Sequence, residues 1–598
     1  RMEDVTFKKE DGQGQYLYTP AQDEIVGPIT GPEKETADRN AKGTAPNAKQ
    51  GNVVSGMYNE STPTTKTNPM IVDMNGFNLN VAAESDNKIA DAVYVGNNDY
   101  ITVKNDAGKK IGITSTNTNT RAANGIFLEG NSHLNITGPV EIAKVHTKGS
   151  SAAGIAFQGS GSEAVIDGSL TISNVDGDKA EKQGRYIGVS GIRMTGDNTS
   201  MTVTGPVNIS GFKGSALHTA GADSVISVGG GTISTAADAD KSHNFYAARV
   251  EKGTVNINMK NGAPGSARTN IIGDMYVTGQ YGKKVIEYSG GQLADWQHRG
   301  NLHVALTDKD SSWTGVAAYE QYNDNYGSGG NTMHDIGNFD LYLQNGATWT
   351  NEQQSHVTTT TLAGKNPVYN GSYLMKLHGG SDAVHKGYIY QKDSKPITVD
   401  NYSGHTLVFY DHTGDGSAAE NYSAGDFRIK TAEEGSSITL RTGAGGINTA
   451  DKTAAGKALN SLANKLYYMS YAQGDTKLKG TVEIAEGLTS SSVSASGDIA
   501  FRTDTAADKN GQGTYVYEPE EPLDGPIIKD RLLKGETTVT ADDTHAEDGY
   551  VSAAYNGDDS ITVDMANHGL RLEAASSASA KAAAVRVGKG TDGNKKSI

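Results

Sequence analysis

At 598 residues the chain exceeds what one compact core can bury, so it holds several domains or an elongated repeat architecture. A formal charge of −16 argues against nucleic acid and anionic membrane as partners, and the absence of cysteine argues against a disulfide-stapled scaffold and thiolate catalysis. No apolar run is long enough to cross a bilayer as a helix, and the opening RMEDVTFKKEDG lacks a positive-then-apolar leader, so the chain reads as excised from something longer. Tyrosine (28) outnumbers phenylalanine (10), so most aromatic rings carry a polar tip that tolerates water.

The first recognisable element is a phrase, DGQGQYLYTPAQDEIVGPI (11–29), which returns as NGQGTYVYEPEEPLDGPI (510–527). Tyr16, Tyr18 and Pro20 recur as Tyr515, Tyr517 and Pro519, each 499 positions on. VSGMYN (54–59) returns as VSAAYN (551–556), VDMNGFNLNVAA (72–83) as VDMANHGLRLEA (563–574), and AVYVG (92–96) as AVRVG (584–588). Order is kept while the offset drifts, the mark of tandem copies of a long module, with the phrase near each module start. The expected organisation is a leader at 1–50, a repeat module at 51–445, a junction at 446–500, a second leader at 501–550 and the beginning of the next module at 551–598.

Inside the module a shorter unit recurs: VYVGNNDYITVKN, IFLEGNSHLNITG, IAFQGSGSEAVIDG, IRMTGDNTSMTVTG and LHTAGADSVISVGG. Each is an alternating strand, a glycine, a polar turn and a second alternating strand. The turn glycines Gly96, Gly130, Gly159, Gly196 and Gly221 are spaced 34, 29, 37 and 25 apart. After the turn the apolar pairs are Ile101/Val103, Leu134/Ile136, Ala164/Ile166, Met201/Val203 and Ile226/Val228. Period two means one buried face, and glycine or asparagine at the corners supplies the positive φ of a sharp bend. A string of small sandwiches would also alternate, but it lacks the Pro-rich linkers expected between them. The fold class expected is all-β: a right-handed parallel β-helix, or β-solenoid, with a short capping helix at the junction. Ile136, Ile166, Val203 and Val228 should stack inside it.

Farther along, WTGVAAYEQYNDNYGSGGN (313–331) is the most unusual loop, with Tyr319, Tyr322 and Tyr326 interleaved with Glu320, Asp324 and asparagines. Tyrosine and asparagine are the chemistry of binding loops and sugar platforms. Tyr319, Tyr322, Asp324 and Tyr326 are therefore the candidate ligand-binding residues, against the plainer reading of a solvated corner. YIYQKDSKPITVDNYSGH (388–405) is a second candidate that reads more simply as ordinary coils. DHTGDGSAAENY (411–422) places Asp411, Asp415 and Gly416 as in a calcium loop, but Thr413 and Tyr422 occupy the third and twelfth positions, so a polar turn is expected and no metal. ADKTAAGKALNSLANKLYYMSYAQ (450–473) sets Leu459, Leu462, Ala463 and Leu466 on one helical face, either a cap or joint for the coil stack or a partner-binding helix.

SSWTGVAAY (311–319), LYLQNGATWTN (341–351) and GHTLVFYDHTGDG (404–416), set among glycine-cornered coils, resemble passenger domains of type V autotransporters. The block ALNSLANKLYYMSYAQGDTKLKGTVEIAEGLTSSS followed by GQGTYVYEP is similar to large repeat-containing surface adhesins of the Veillonella type. The resemblance implies a β-helical passenger on a Gram-negative cell surface, held in the outer membrane by a C-terminal barrel that this chain does not include. It would also account for the absence of cysteine, since unpaired thiols hinder passage through an oxidising periplasm.

Enzymes also use this fold, but the signatures are missing. Arg428–Lys430 spells one fragment of the polygalacturonase pattern without its Gly-His-Gly companion, and no Gly-x-Ser-x-Gly elbow, His-Glu-x-x-His or phosphate-cradling glycine loop occurs. No catalytic residue and no cofactor is expected. The function expected is adhesion to a host extracellular-matrix protein such as fibronectin, to a glycan, or to another copy of itself between cells, giving aggregation and biofilm. The alternatives are a passive stalk and, behind it, a glycan-degrading enzyme. Repeating a module multiplies weak contacts, which serves a binder more than a catalytic groove.

Overall fold

A computed structural model describes residues 64–503 apart from 75–77, 106–107, 180, 183–184, 187, 212, 236–244, 279–284, 288–299, 325–330, 336, 356–367 and 414–421. It also describes 510–515, Met57 and residues 570–572, and, as backbone alone, further strand residues nearer both ends and at 320–324 and 331–335. The protein is all-β, 57% strand against 4% helix, and its long sheets are built from parallel strands in a solenoid-like arrangement. Two compact units can be drawn: Arg1–Phe409 with Ser423–Ile438 and Tyr468–Lys479, and Tyr410–Tyr422 with Thr439–Tyr467 and Gly480–Ile598.

In the first unit the chain visits three strand columns in turn and then starts again one coil along. Ile89–Val95, Ala123–Leu128, Ala152–Phe157, Val189–Met194, Ser215–Thr219 and Tyr246–Val250 form part of the first column, each parallel to the next. Tyr100–Lys104, His133–Thr137, Glu163–Asp167, Ser200–Val203, Val225–Val228 and Thr254–Ile257 do the same in the second. Ile111–Asn117, Val140–Thr147, Leu170–Ser173, Val207–Ser210, Gly231–Ser234 and Thr269–Ile272 follow in the third.

The sequence alternation becomes a set of continuous interior rows. Val103, Ile136, Ile166, Val203, Val228, Ile257, Val304 and Leu341 face one another coil to coil, as the stack of Ile136, Ile166, Val203 and Val228 required. All are buried. Each such side chain contributes roughly 1.5–3 kcal/mol of burial, so the stacking, repeated coil by coil, is the main source of cohesion.

Positive φ is carried by asparagine at three of the five corners, Asn98 (65°), Asn131 (53°) and Asn198 (52°), and by Gly159 itself (98°) at a fourth, as expected, while at the fifth it falls to Asp223 (54°). Gly196 is needed instead for close approach, because a Cβ there would lie 1.7 Å from the Gly159 carbonyl oxygen. Gly221 packs in the same way onto Gly196. The corner is lined inside by hydroxyls: Ser132 donates to the Glu129 carbonyl at 2.6 Å, and Thr199 N–H donates to Ser224 Oγ at 3.1 Å.

The second unit contains the helix, Lys452–Ala463, half the length the leucine spacing predicts. Asp451 caps it, accepting from Ala454 N–H at 3.2 Å. Leu459, Leu462 and Ala463 are buried as expected, but Leu466 belongs to the strand Leu466–Tyr468. Tyr467 bridges to Gln512, and the aromatic pair favours that extended pairing over another helical turn. The repeated phrase completes the packing: Asn460 Oδ1 accepts from Thr514 Oγ1 (3.2 Å) and Tyr515 N–H (3.1 Å), and Gln512 Nε2 donates to the Asn464 carbonyl (3.1 Å).

The structure also lengthens the echo. Phe501 and Ala500 pair antiparallel with Gly513 and Thr514, and at the other end Phe7 and Thr6 pair antiparallel with Gly14 and Gln15. The same hairpin is built twice, from DVTF and DIAF, one strand earlier than the phrase that revealed the repeat.

Candidate functional site

The regular coil pattern breaks at Ala317–Asp324. Its first residues continue the parallel column, Ala317 and Ala318 opposite Met275 and Tyr276. From Glu320 the strand turns to antiparallel partners: Asn331–Asp335 on one side, with Asp324 opposite Asn331, and Val368–His378 on the other, with Glu320 opposite Tyr369. Val285–Glu287 adds to the far side of Asn331–Asp335, also antiparallel. A four-stranded antiparallel sheet thus branches from the parallel column.

Its root is clamped by Asp274, which is fully buried. Oδ1 accepts from Val316 N–H (3.0 Å) and Gln354 N–H (2.9 Å), and Oδ2 from Ser355 N–H (2.9 Å) and Ser355 Oγ (2.8 Å). Burial pushes this carboxyl up to about 6, while the four donors pull the other way and favour the ionised form. A polar row continues the clamp: Ala317 N–H donates to Ser372 Oγ (3.0 Å), Ser372 Oγ to Asn351 Oδ1 (2.6 Å), and Asn351 Nδ2 to Gln391 Oε1 (2.6 Å).

Tyr319 does not present its ring to solvent. It is 7% exposed, its ring lies 5.5 Å from that of Tyr373, and its phenol oxygen accepts from Asn370 Nδ2 at 2.6 Å. A strand leaving a packed column buries its first aromatic against the neighbouring strand, which corrects the expectation of an exposed contact ring there. Tyr322 and Asp324 lie in the same strand by backbone; their side chains, and Tyr326 altogether, fall outside the described residues. Trp313, the loop's expected first residue, is a core residue.

Three neighbours that the sequence reading passed over complete the root. Tyr369 packs against Val316 and Ala318, and its phenol donates to Asp393 Oδ2 at 3.0 Å. Burial, then the nearby Asp393 charge, drives its ionisation far above the ordinary range, so it remains a donor at any physiological pH. Tyr373 and Asn370 are the others. VYNGSY (368–373) repeats the tyrosine and asparagine chemistry of AYEQYN (318–323), and that similarity was the available signal.

The other candidates are ordinary. In 388–405 the residues Ile389, Ile397, Val399 and Tyr402 are buried coil positions. Arg428 pairs with Asp426 at 3.1 Å. Most of the calcium-like stretch falls outside the described residues, and its last residue, Tyr422, is buried with its ring edge-on to Tyr410. Among the described residues no three His, Asp or Glu side chains converge as a metal site. Compared with protein-family models, curated proteins and solved structures, the chain has no match.

Proposed function

We propose that the chain belongs to the passenger region of a type V autotransporter adhesin, its coils wound as a right-handed parallel β-helix. It is displayed on the cell surface by an outer-membrane barrel elsewhere in the whole protein. Its partners on this reading are a host matrix protein such as fibronectin, a glycan, or another copy on a neighbouring cell. The observation that carries the proposal is the antiparallel branch. The interior of the coils is filled by stacked side chains, so recognition falls to the outside, and here the chain diverts a polar, tyrosine-bearing strand from the stack onto a firmly clamped root. The module echo supports it too, since a second copy of the module repeats each weak contact.

The contact residues proposed are Tyr322, Asp324 and Tyr326, with Tyr319 holding the strand that carries Tyr322 and Asp324. Cells displaying this chain should bind immobilised fibronectin or mucin, or aggregate, and the Tyr322→Ala/Tyr326→Ala variant should lose most of that attachment with unchanged melting. Tyr319→Ala should instead lower stability. Attachment unaltered by the double variant would place binding elsewhere, and no attachment by the parent chain would favour a stalk.

A further inference from the structure

Between the second and third columns four consecutive coils turn in two or three residues, 138–139, 168–169, 204–206 and 229–230. The coil that begins with Tyr246–Val250 spends eleven there, 258–268. They form a small hairpin, Met259 opposite Pro264 and Lys260 opposite Ala263, closed by Asn261 (φ 51°) and Gly262 (φ 78°). An Asn-Gly pair with both φ positive is the favoured two-residue hairpin turn.

The hairpin is fixed at its base. Asn258, buried and itself left-handed (φ 56°), donates from Nδ2 to the carbonyls of Gly265 (3.1 Å), Ala267 (2.8 Å) and Ala305 (3.0 Å). Thr307 Oγ1 donates to the Gly265 carbonyl (2.6 Å), and Gly231 N–H to the Arg268 carbonyl (2.8 Å). Between this lip and the two preceding corners lies a groove of about 970 Å³, lined among others by Thr202, Thr204, Ser227, Pro206, Lys260 and Arg268.

Its charge is opposite to that of the chain. The lining contains two cations and no carboxylate, in a protein of net charge −16. Lys260 and Arg268 are both exposed, and Arg268 Nε donates to the Asn270 side-chain oxygen at 3.1 Å, a neutral partner that leaves its charge available. Asp167, on the neighbouring coil, accepts from the lining residue Thr204 through its Oγ1 at 2.8 Å. No aromatic ring lines the groove, so neither ring stacking on a sugar nor an aromatic anchor for a peptide is offered.

We infer that this groove is a binding site for an acidic oligosaccharide, one carrying sulfate or carboxylate groups. Lys260 and Arg268 engage the anions, while Thr202, Thr204, Ser227 and the corner glycine backbone meet the ring hydroxyls. The volume is at the upper end for small-molecule sites, roughly 300–1,000 Å³, and suits several sugar rings better than one. Charge-assisted contacts from a lip fixed before binding lose little entropy on complex formation. The inference adds a second contact for the glycan partner proposed above, on a different part of the coil stack from the branch, and it stands whether or not the branch tyrosines bind.

The test is calorimetric titration of the whole chain with a sulfated tetrasaccharide, a uronic-acid tetrasaccharide without sulfate, a neutral tetrasaccharide and polyglutamate. We expect saturable binding of one or both acidic sugars, weakening as salt rises, with the two arms telling sulfate from carboxylate recognition. The neutral sugar should bind at least ~10-fold more weakly, and Lys260→Glu/Arg268→Glu should lose at least ~10-fold in affinity with unchanged circular dichroism and melting. Equal affinity in the variant, equal affinity for polyglutamate, or no saturation by either acidic sugar would overturn the assignment. The comparison of the parent with Tyr322→Ala/Tyr326→Ala for attachment tests the branch separately, because both chains keep Lys260 and Arg268.

Discussion

Trp313 and Trp349 lie face to face one coil apart, their ring centroids 4.8 Å apart and their planes within 2° of parallel. Each indole Nε1–H donates to a glycine carbonyl, Trp313 to Gly273 at 3.0 Å and Trp349 to Gly315 at 2.9 Å. Both rings are fully buried beside the branch root. Trp349→Ala should therefore cost about 3–5 kcal/mol, and Trp349→Phe about 1–3 kcal/mol, because the Gly315 carbonyl loses its donor. Urea unfolding followed by far-ultraviolet circular dichroism measures both; an alanine variant as stable as the parent would show that the stack is not cohesive.

Asp91 should make stability depend on pH in an unusual direction. It is fully buried, accepts from Asn124 Nδ2 at 2.8 Å through Oδ1, and leaves Oδ2 without a partner. Burial pushes its carboxyl from 3.8 up to about 7, with Asn124 opposing and the Glu129 charge assisting. Between those values the folded state holds a proton that the unfolded state has released, so this group's contribution is greatest below about 4 and fades as pH rises through about 7. Asp91→Asn removes the ionisation and offers an N–H to the unpaired Asn124 Oδ1. Relative to wild type, the variant should gain stability from pH 4 to pH 7 and then level off, by up to roughly 4 kcal/mol. A difference that does not change with pH would refute the titration.

The glycine corners can be tested at Gly196. Its missing Cβ would sit 1.7 Å from the Gly159 carbonyl oxygen, a backbone atom that cannot swing aside, so Gly196→Ala should force the coils apart. The expected loss is about 2–4 kcal/mol, in the range of overpacked sites. Gly445→Ala, where the new methyl meets nothing within 4 Å and φ is not positive, is the control. Similar thermal shifts for the two would remove the close-approach argument.

At the junction, Leu462 is fully buried on the Lys452–Ala463 helix, and Asn460 on the same helix holds Thr514 and Tyr515. Leu462→Asp buries an unpaired charge and should cost about 3–5 kcal/mol and promote aggregation. Asn460→Ala should be milder, about 1–3 kcal/mol, and should raise amide exchange at Thr514 and Tyr515 before the helix itself opens. Protection at Tyr515 that survives the substitution would mean the phrase is held by something other than Asn460.

The sequence by itself determined the coil. Period-two apolar pairs such as Leu134/Ile136 and Met201/Val203 have one satisfactory burial, against the same pair one coil away. The echo of 11–29 in 510–527 likewise marks repetition without any coordinates. Local patterns suffice there because each partner carries the same pattern. They did not suffice where a residue's neighbour lies tens of positions away and has a different pattern. Leu466 fits a helix on spacing alone, yet Tyr467 pairs with Gln512 and takes it into a strand. Tyr319 has the composition of a contact residue, but Tyr373 and Asn370 enclose it. The groove's lip is fixed by Asn258 reaching Ala305 across 47 positions, so its two cations, Lys260 and Arg268, line one groove with earlier corners only once the coils have stacked.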